Sequence, residues 1–167
     1  MSYDDPRPPI GYFISFRAYG TWLHGDRRGS FDRRNNVYGE SAIPSNPQWR
    51  GFESRSLRYP PVKLDAPRRE ATRSAIEETC LIRGWTLHAL NVRTNHAHTV
   101  VTAPIRAELV LNAFKANATR VMRLTGCWAR SGSPWSNGGS TRYLFTEWEM
   151  GRAICYVEHG QGPALDR

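Results

Sequence analysis

The chain carries Asn95-His96-Ala97-His98-Thr99-Val100-Val101, two histidines flanking one small apolar residue at the start of a β-prone run. Successive side chains on a strand point to opposite faces, so His96 and His98 project the same way, about 7 Å apart along the backbone. Two imidazoles so placed can grip one metal ion; equally, they can be surface histidines on a solvated strand face. Near the C-terminus Tyr156 stands in Ala153-Ile154-Cys155-Tyr156-Val157-Glu158-His159-Gly160-Gln161-Gly162. Glu158, His159 and Gln161 put polar or metal-ligating atoms within about one helical turn of it. A phenol titrates near 10, so its attack on phosphorus at neutral pH needs a cation to polarise the phosphate and stabilise the leaving oxygen. Two strand histidines and one helical donor would hold that cation. The competing reading of Tyr156 is an aromatic at the core edge of an amphipathic helix.

The elements that must position these groups follow from the pattern. Residues 11–20 are aromatic and β-prone and give a first strand. From about 25 to 65 the chain is crowded with Arg, Asn, Gly, Pro and Ser without sustained periodicity, which predicts a long arginine-rich loop. Its arginines, with Trp22, Phe31, Tyr38, Trp49 and Phe52, could clamp and stack nucleotides, or the aromatics could pin the loop to the core. Asp65 opens a helix with Pro67 in its first turn and an inward stripe of Ala71, Ala75, Ile76, Thr79 and Cys80, ending at Gly84. Residues 85–92 read as a second strand, 93–95 as a tight turn and 96–102 as a third strand paired back on the second. A second helix spans about 105–124, with Leu109, Val110, Ala113, Phe114, Ala116, Val121 and Leu124 inward and Lys115, Arg120 and Arg123 available to solvent or phosphate. A glycine-rich approach leads into a fourth strand. Thr146 caps a last helix, with Glu147 and Glu149 in its first turn, reaching about His159. The order predicts one α+β domain over 1–167: a ferredoxin-like (RRM-like) antiparallel sheet of split β-α-β topology, plus a C-terminal helix carrying the tyrosine.

Charge points to a partner class. The 167 residues hold 23 Lys+Arg against 15 Asp+Glu, a formal charge of +8, with lysine only at Lys63 and Lys115. The planar guanidinium suits phosphate, although solubility or an acidic membrane surface would also account for a basic chain. Cys80, Cys127 and Cys155 are widely spaced and form no Cys-x-x-Cys pair, so they read as reduced thiols in a cytoplasmic protein. A polar, acidic N-terminus and the lack of a long apolar run predict neither secretion nor a membrane span.

The combination resembles the HUH superfamily of single-tyrosine transposases (the IS200-like transposase family), especially the REP-associated tyrosine transposases. The matching segments are Tyr19-Gly20-Thr21-Trp22-Leu23 with Gly25-Asp26-Arg27-Arg28-Gly29, then Asn95-His96 and His98, then 135–143, Tyr156-Val157 and Gly160-Gln161-Gly162. The resemblance implies that His96 and His98 coordinate Mg²⁺ or Mn²⁺ at the scissile phosphate of hairpin-bearing single-stranded DNA. Tyr156 would attack phosphorus to give a 5′-phosphotyrosyl enzyme and a free 3′-hydroxyl, and a second 3′-hydroxyl could then rejoin strands without ATP. Imidazole ligands favour Mn²⁺ over Mg²⁺. In the family the third, helical ligand is commonly a glutamine four residues after the tyrosine. Here that position is Gly160, and Gln161 lies five residues on, some 140° around a regular helix. Gln161 therefore reaches the site if the helix ends at Gly160; otherwise His159, three residues from Tyr156, is the alternative ligand. Arg27, Arg28, Lys115, Arg120 and Arg123 are the candidates for holding the DNA, and the implied assembly is a monomer or a homodimer. Two rival functions are a hairpin-binding protein that keeps the fold without strand transfer, which the irregular spacing favours, and a metal-dependent nucleotide phosphohydrolase. The second would need a third alternating histidine or a duplicated motif, where the chain has Thr94 and Val100 and no second copy.

Overall fold

A computed structural model describes residues 7–21 and 44–165. Four strands, β1 (Gly11–Arg17), β2 (Thr86–Val92), β3 (His96–Thr102) and β4 (Ser140–Leu144), form one antiparallel sheet in the order β2-β3-β1-β4. Four helices accompany them: α1 (Pro47–Arg55), α2 (Ala66–Arg83), α3 (Ala107–Leu124) and α4 (Glu147–His159). With α2 before the central hairpin and α3 after it, this is the split β-α-β arrangement anticipated from the element order.

The two sheet faces are covered by different helices. Tyr12, Ile14 and Phe16 of β1 and Ala97 and Val101 of β3 point to the α2–α3 layer, where they pack with Ala75, Ile76, Val110 and Phe114. The opposite face carries Ala89, Val100 and Leu144, against which α4 buries Met150, Ala153 and Val157. Each of the larger side chains in that stripe contributes about 1.5–3 kcal/mol by leaving water. A 13-residue helix is marginal by itself, so this apolar stripe is what holds α4 in place.

Local chemistry sets the element ends. The Asp65 carboxylate accepts the Arg68 N–H at 3.1 Å, and Gly84, with φ 66°, takes the left-handed conformation that ends α2 without a Cβ penalty. Thr146 and Glu149 form a reciprocal capping box at the start of α4.

Two expectations need correction. The stretch 25–65 is not an uninterrupted loop. Asn46 accepts the N–H groups of Gln48 and Trp49, Pro47 supplies a helical φ, and α1 follows. Because α1 buries none of its residues, it leaves no apolar period to read. Trp49 and Phe52 lie on it with exposed side chains, while the chain is pinned to the core by Val62 and Leu64 instead. Trp22, Phe31 and Tyr38 lie outside the described residues. On α3 the inward stripe is Ala107, Val110, Leu111, Phe114, Ala118 and Met122; Leu109, Ala116 and Leu124 face solvent. Leu109 lies about 140° around the helix from Phe114, too far to share its face.

The glycine-rich approach to β4 is held against the sheet by Gly139. A Cβ built there would stand 2.7 Å from the Ser15 carbonyl oxygen and 2.9 Å from a Leu111 methyl. One of those partners is backbone, so it has little room to yield. Gly139→Ala should cost about 1–3 kcal/mol in denaturant unfolding, as overpacking typically does; an unchanged midpoint would show that the approach is looser than described.

Candidate active site

His96 and His98 lie on β3, facing away from the α2–α3 core and toward α4. Val100, on the same alternation, packs under that helix. The imidazole centroids are 4.5 Å apart. Each ring is held at Nδ1. The Ser15 hydroxyl sits 2.5 Å from Nδ1 of His98, and the Asn95 side-chain oxygen is 2.6 Å from Nδ1 of His96. The first contact exists because β1 pairs with β3 in a register that sets Ser15 opposite His98 and Arg17 opposite His96. Holding Nδ1 fixes each ring's orientation and leaves Nε2 as the nitrogen able to face a ligand, which is how metal-binding histidines are commonly steadied.

The last turn of α4 supplies the other half of the site. Val157 packs into the sheet and its carbonyl accepts the Asn91 side-chain amide at 3.0 Å. Tyr156, beside it, has its ring 5.7 Å from that of His98 and 5.9 Å from that of Phe13, and is half exposed. The helix stops at Gly160, whose N–H bonds to the Tyr156 carbonyl at 2.8 Å. The backbone then turns so that the Gln161 side-chain oxygen lies 3.1 Å from Nε2 of His96. The helix end thus removes the 140° offset. Gly160 has φ −87°, so its value is not left-handed freedom. A Cβ at that position would stand 2.7 Å from Cδ2 of the Tyr156 ring, so the bare backbone makes room for the phenol. His159 is turned outward, with a mostly exposed side chain 3.8 Å from Glu158.

The electrostatics of the site are one-sided. Burial, and then the neighbouring His96, push the His98 imidazole down to about 3 from its ordinary 6.5, so the ring is neutral across the physiological range. A neutral imidazole keeps the lone pair that a cation needs.

Of the five basic residues expected to hold DNA, Arg27 and Arg28 lie outside the described residues. The other three are on α3, across the sheet from the histidines. The Lys115 ammonium donates to the carbonyls of Ser136 and Gly138 at 2.6 and 2.8 Å, fastening the approach to β4, and burial lowers its pKa. Arg120 pairs with Glu78 of α2 at 2.8 Å, and Arg123 donates to the Ser131 carbonyl at 3.1 Å. Among the described strand residues, the cations on the histidine face are Arg17 and Arg142. Arg17 pairs in register with His96, and Arg142 of β4 pairs with Phe13. Ser15, Arg17 and Arg142 were missed in the sequence, although the alternation of β1 against its apolar partners Ile14 and Phe16 carried the signal for the first two.

No family model matches the chain, and no curated protein matches it. Solved structures share its fold, among them the following two. One is a REP-associated tyrosine transposase bound to a REP hairpin, with a TM-score of 0.51 at 12% identity over 94% of this chain and 70% of that one. The other is a protein from Deinococcus radiodurans R1, provisionally assigned as a transposase, with a TM-score of 0.51 at 12% identity over 98% of this chain and 99% of that one.

The His98 shift has a measurable sign. The unfolded chain takes up a proton at about 6.5 and the folded one not until about 3, so acid favours unfolding between those values. Each unit in that window should shift the folding equilibrium about tenfold toward the unfolded state through this group. In imidazole NMR spectra the His98 ring should stay neutral at pH 4.5; titration of that ring near 6.5 would contradict the burial described.

Proposed function

We propose that the protein cleaves and rejoins single-stranded, hairpin-bearing DNA through a 5′-phosphotyrosine on Tyr156, with Mg²⁺ or Mn²⁺ held by His96, His98 and Gln161. The observation that carries this reading is the convergence of three donors and a phenol from elements 60 residues apart in the chain. The fold shared with a hairpin-bound REP-associated tyrosine transposase and the formal charge of +8 support a nucleic-acid partner.

The residues fit such a cation. Among the described residues no three His, Cys, Asp or Glu side chains converge, and the Gln161 amide oxygen is the further donor atom that lies against the His96 imidazole. Ligands at adjacent corners of an octahedron with bonds near 2.1 Å stand about 3 Å apart; Nε2 of His96 and the Gln161 oxygen are 3.1 Å apart. The Gln161 amide nitrogen is buried without an acceptor among the described residues. An unsatisfied buried donor costs about 1–3 kcal/mol, and an incoming phosphate oxygen would relieve it. When bound, the cation would supply Lewis-acid polarisation of the phosphate and stabilise the departing 3′ oxygen.

The chain's own residues do the rest. The half-exposed Tyr156 ring rests against His98 and Phe13, which aim it while leaving its hydroxyl accessible to an entering strand. The phenol loses its proton, its oxygen bonds to phosphorus, and the P–O3′ bond breaks to release a 3′-hydroxyl. The phosphotyrosine keeps the energy of the phosphodiester, so a second 3′-hydroxyl can displace Tyr156 and seal a new junction. Ser15 and Asn95 hold the two imidazoles throughout.

The rival reading as a hairpin-binding protein without chemistry drew on the irregular spacing of tyrosine and glutamine. The end of α4 at Gly160 accommodates that spacing, and no observation now favours the rival.

With labelled hairpin DNA and Mn²⁺, the wild-type protein should give a covalent adduct on a denaturing gel, stronger than with Mg²⁺, and Tyr156→Phe should give none. No wild-type adduct, or one that persists in Tyr156→Phe, would remove Tyr156 as nucleophile. His96→Ala and His98→Ala should abolish cleavage while hairpin binding survives; equal loss of both would make the histidines structural. Ser15→Ala should lower the cleavage rate by roughly 10–100-fold, the usual effect of removing a group that orients a metal ligand, whereas an unchanged rate would mean that the Ser15–His98 contact is idle.

A further inference from the structure

Gln161 stands where the packing of α4 has already ended. Val157 is the last buried side chain of the helix, and residues 158–160 and 162–164 are exposed. The segment after the helix shares a cleft of about 1060 Å³ with Pro67, Arg69 and Arg73 of α2, so open space rather than core lies behind it. A side chain carried by such a segment keeps one position only if polar contacts hold the backbone around it.

The β2–β3 hairpin supplies such contacts. Asn91 and Arg93 are two residues apart where β2 runs into the turn, so they project to the same face. The Asn91 amide donates to the Val157 carbonyl at 3.0 Å, and the Arg93 guanidinium donates from Nη1 to the Pro163 carbonyl at 2.8 Å. Gln161 lies between the two anchored carbonyls. Gly162, with φ 80°, takes the left-handed turn between Gln161 and Pro163, and Nη2 of Arg93 passes 3.9 Å from where its Cβ would stand. Arg93 is itself fixed, because its N–H bonds to the His96 carbonyl at 2.7 Å. The residue facing His96 across the hairpin thus also grips the chain that brings Gln161 to it.

We propose that Arg93 is a positioning residue, whose bond to the Pro163 carbonyl holds the Gln161 oxygen against Nε2 of His96. The histidines and Tyr156 have supports of their own in Ser15, Asn95 and Asn91, so the guanidinium acts on the glutamine. Its charge works the other way, since like charges repel and a cation bound nearby is disfavoured by it. Removing the guanidinium would therefore tighten metal binding through charge and weaken it through the lost clamp, and the sign tells the two apart. The link to metal rests on the reading of His96, His98 and Gln161 as one cation site. The first measurement below uses metal-free protein, so the two can fail separately.

The test uses the full chain with Arg93→Ala and with Arg93→Met, which keeps an apolar stem but no donor. In NMR spectra of the metal-free wild type the Gln161 side-chain amide should show a nuclear Overhauser contact with the His96 ring. Both variants should lose it while the contacts between the His98 and Tyr156 rings persist. Mn²⁺ binding followed by electron paramagnetic resonance should weaken about tenfold in both, with the nitrogen couplings of both imidazoles kept. In the Gln161→Ala protein, which has already lost the donor, adding Arg93→Ala should change Mn²⁺ affinity by less than about twofold. A Gln161–His96 contact that survives Arg93→Ala, Mn²⁺ binding that is unchanged or tighter, or an equal weakening with and without Gln161 overturns the proposal. So does a contact kept in Arg93→Met and lost in Arg93→Ala, which would make the stem the support, or loss of the His98–Tyr156 contacts as well, which would make Arg93 a general prop of the fold. If the Gln161–His96 contact depends on Arg93 while the wild type binds no Mn²⁺, the clamp stands and the cation reading falls.

Discussion

The register of β3 between its two neighbours is the constraint on which the site depends. Antiparallel pairing with β1 sets Ser15 opposite His98 and Arg17 opposite His96, while pairing with β2 sets Asn91 opposite His98. A slip of one residue would turn both histidines into the α2–α3 core and send Ala97 and Thr99 outward. That slip is opposed by Ala97, Thr99 and Val101, all fully buried on the core side, and by Val100, fully buried under α4. The apolar residues between and after the histidines thus hold the polar ones in place. The same register fixes Asn91, whose amide binds the Val157 carbonyl and ties the last turn of α4 to the sheet.

The two halves of the site are built for different degrees of exposure. His98 is desolvated enough to stay neutral, and its Nδ1 is engaged by Ser15, so it can present a lone pair but not a positive charge. Tyr156 is half exposed, and its ring is seated over Gly160, where a side chain would displace it. The same glycine ends the helix and lets Gln161 approach His96. A glutamine one position earlier in the chain would have needed a Cβ in the space the phenol occupies, so the spacing of five residues and the glycine are two aspects of one packing solution.

Much of this was legible in the residues. The alternation around His96 and His98, the Asp65 and Thr146 caps, and the glycines at the helix ends are local signals, and strand order followed from where the helices interrupt the strands. What could not be read is what depends on pairing. Ser15 becomes a partner of His98 only through the β1–β3 register, and Arg142 joins the histidine face only through β4. The basic residues of α3 were read as available because their spacing on the helix is solvent-like. Their partners Ser136, Gly138, Glu78 and Ser131 come from other elements, and so were invisible. α1 was missed because a helix that buries nothing has no apolar period. That Gln161, and not His159, lies against His96 depends on the backbone turn at Gly160, which no propensity specifies.

The central claim is that Nε2 of His96, Nε2 of His98 and the Gln161 oxygen hold a single divalent cation. Titration of Mn²⁺ into the protein, followed by electron paramagnetic resonance, tests it without any DNA. The account predicts one bound Mn²⁺ per chain with nitrogen couplings from two imidazoles, weakened in Gln161→Ala, lost in His96→Ala and in His98→Ala, and unaffected by His159→Ala. Binding that survives both histidine replacements, or that is lost with His159 and not with Gln161, would contradict it.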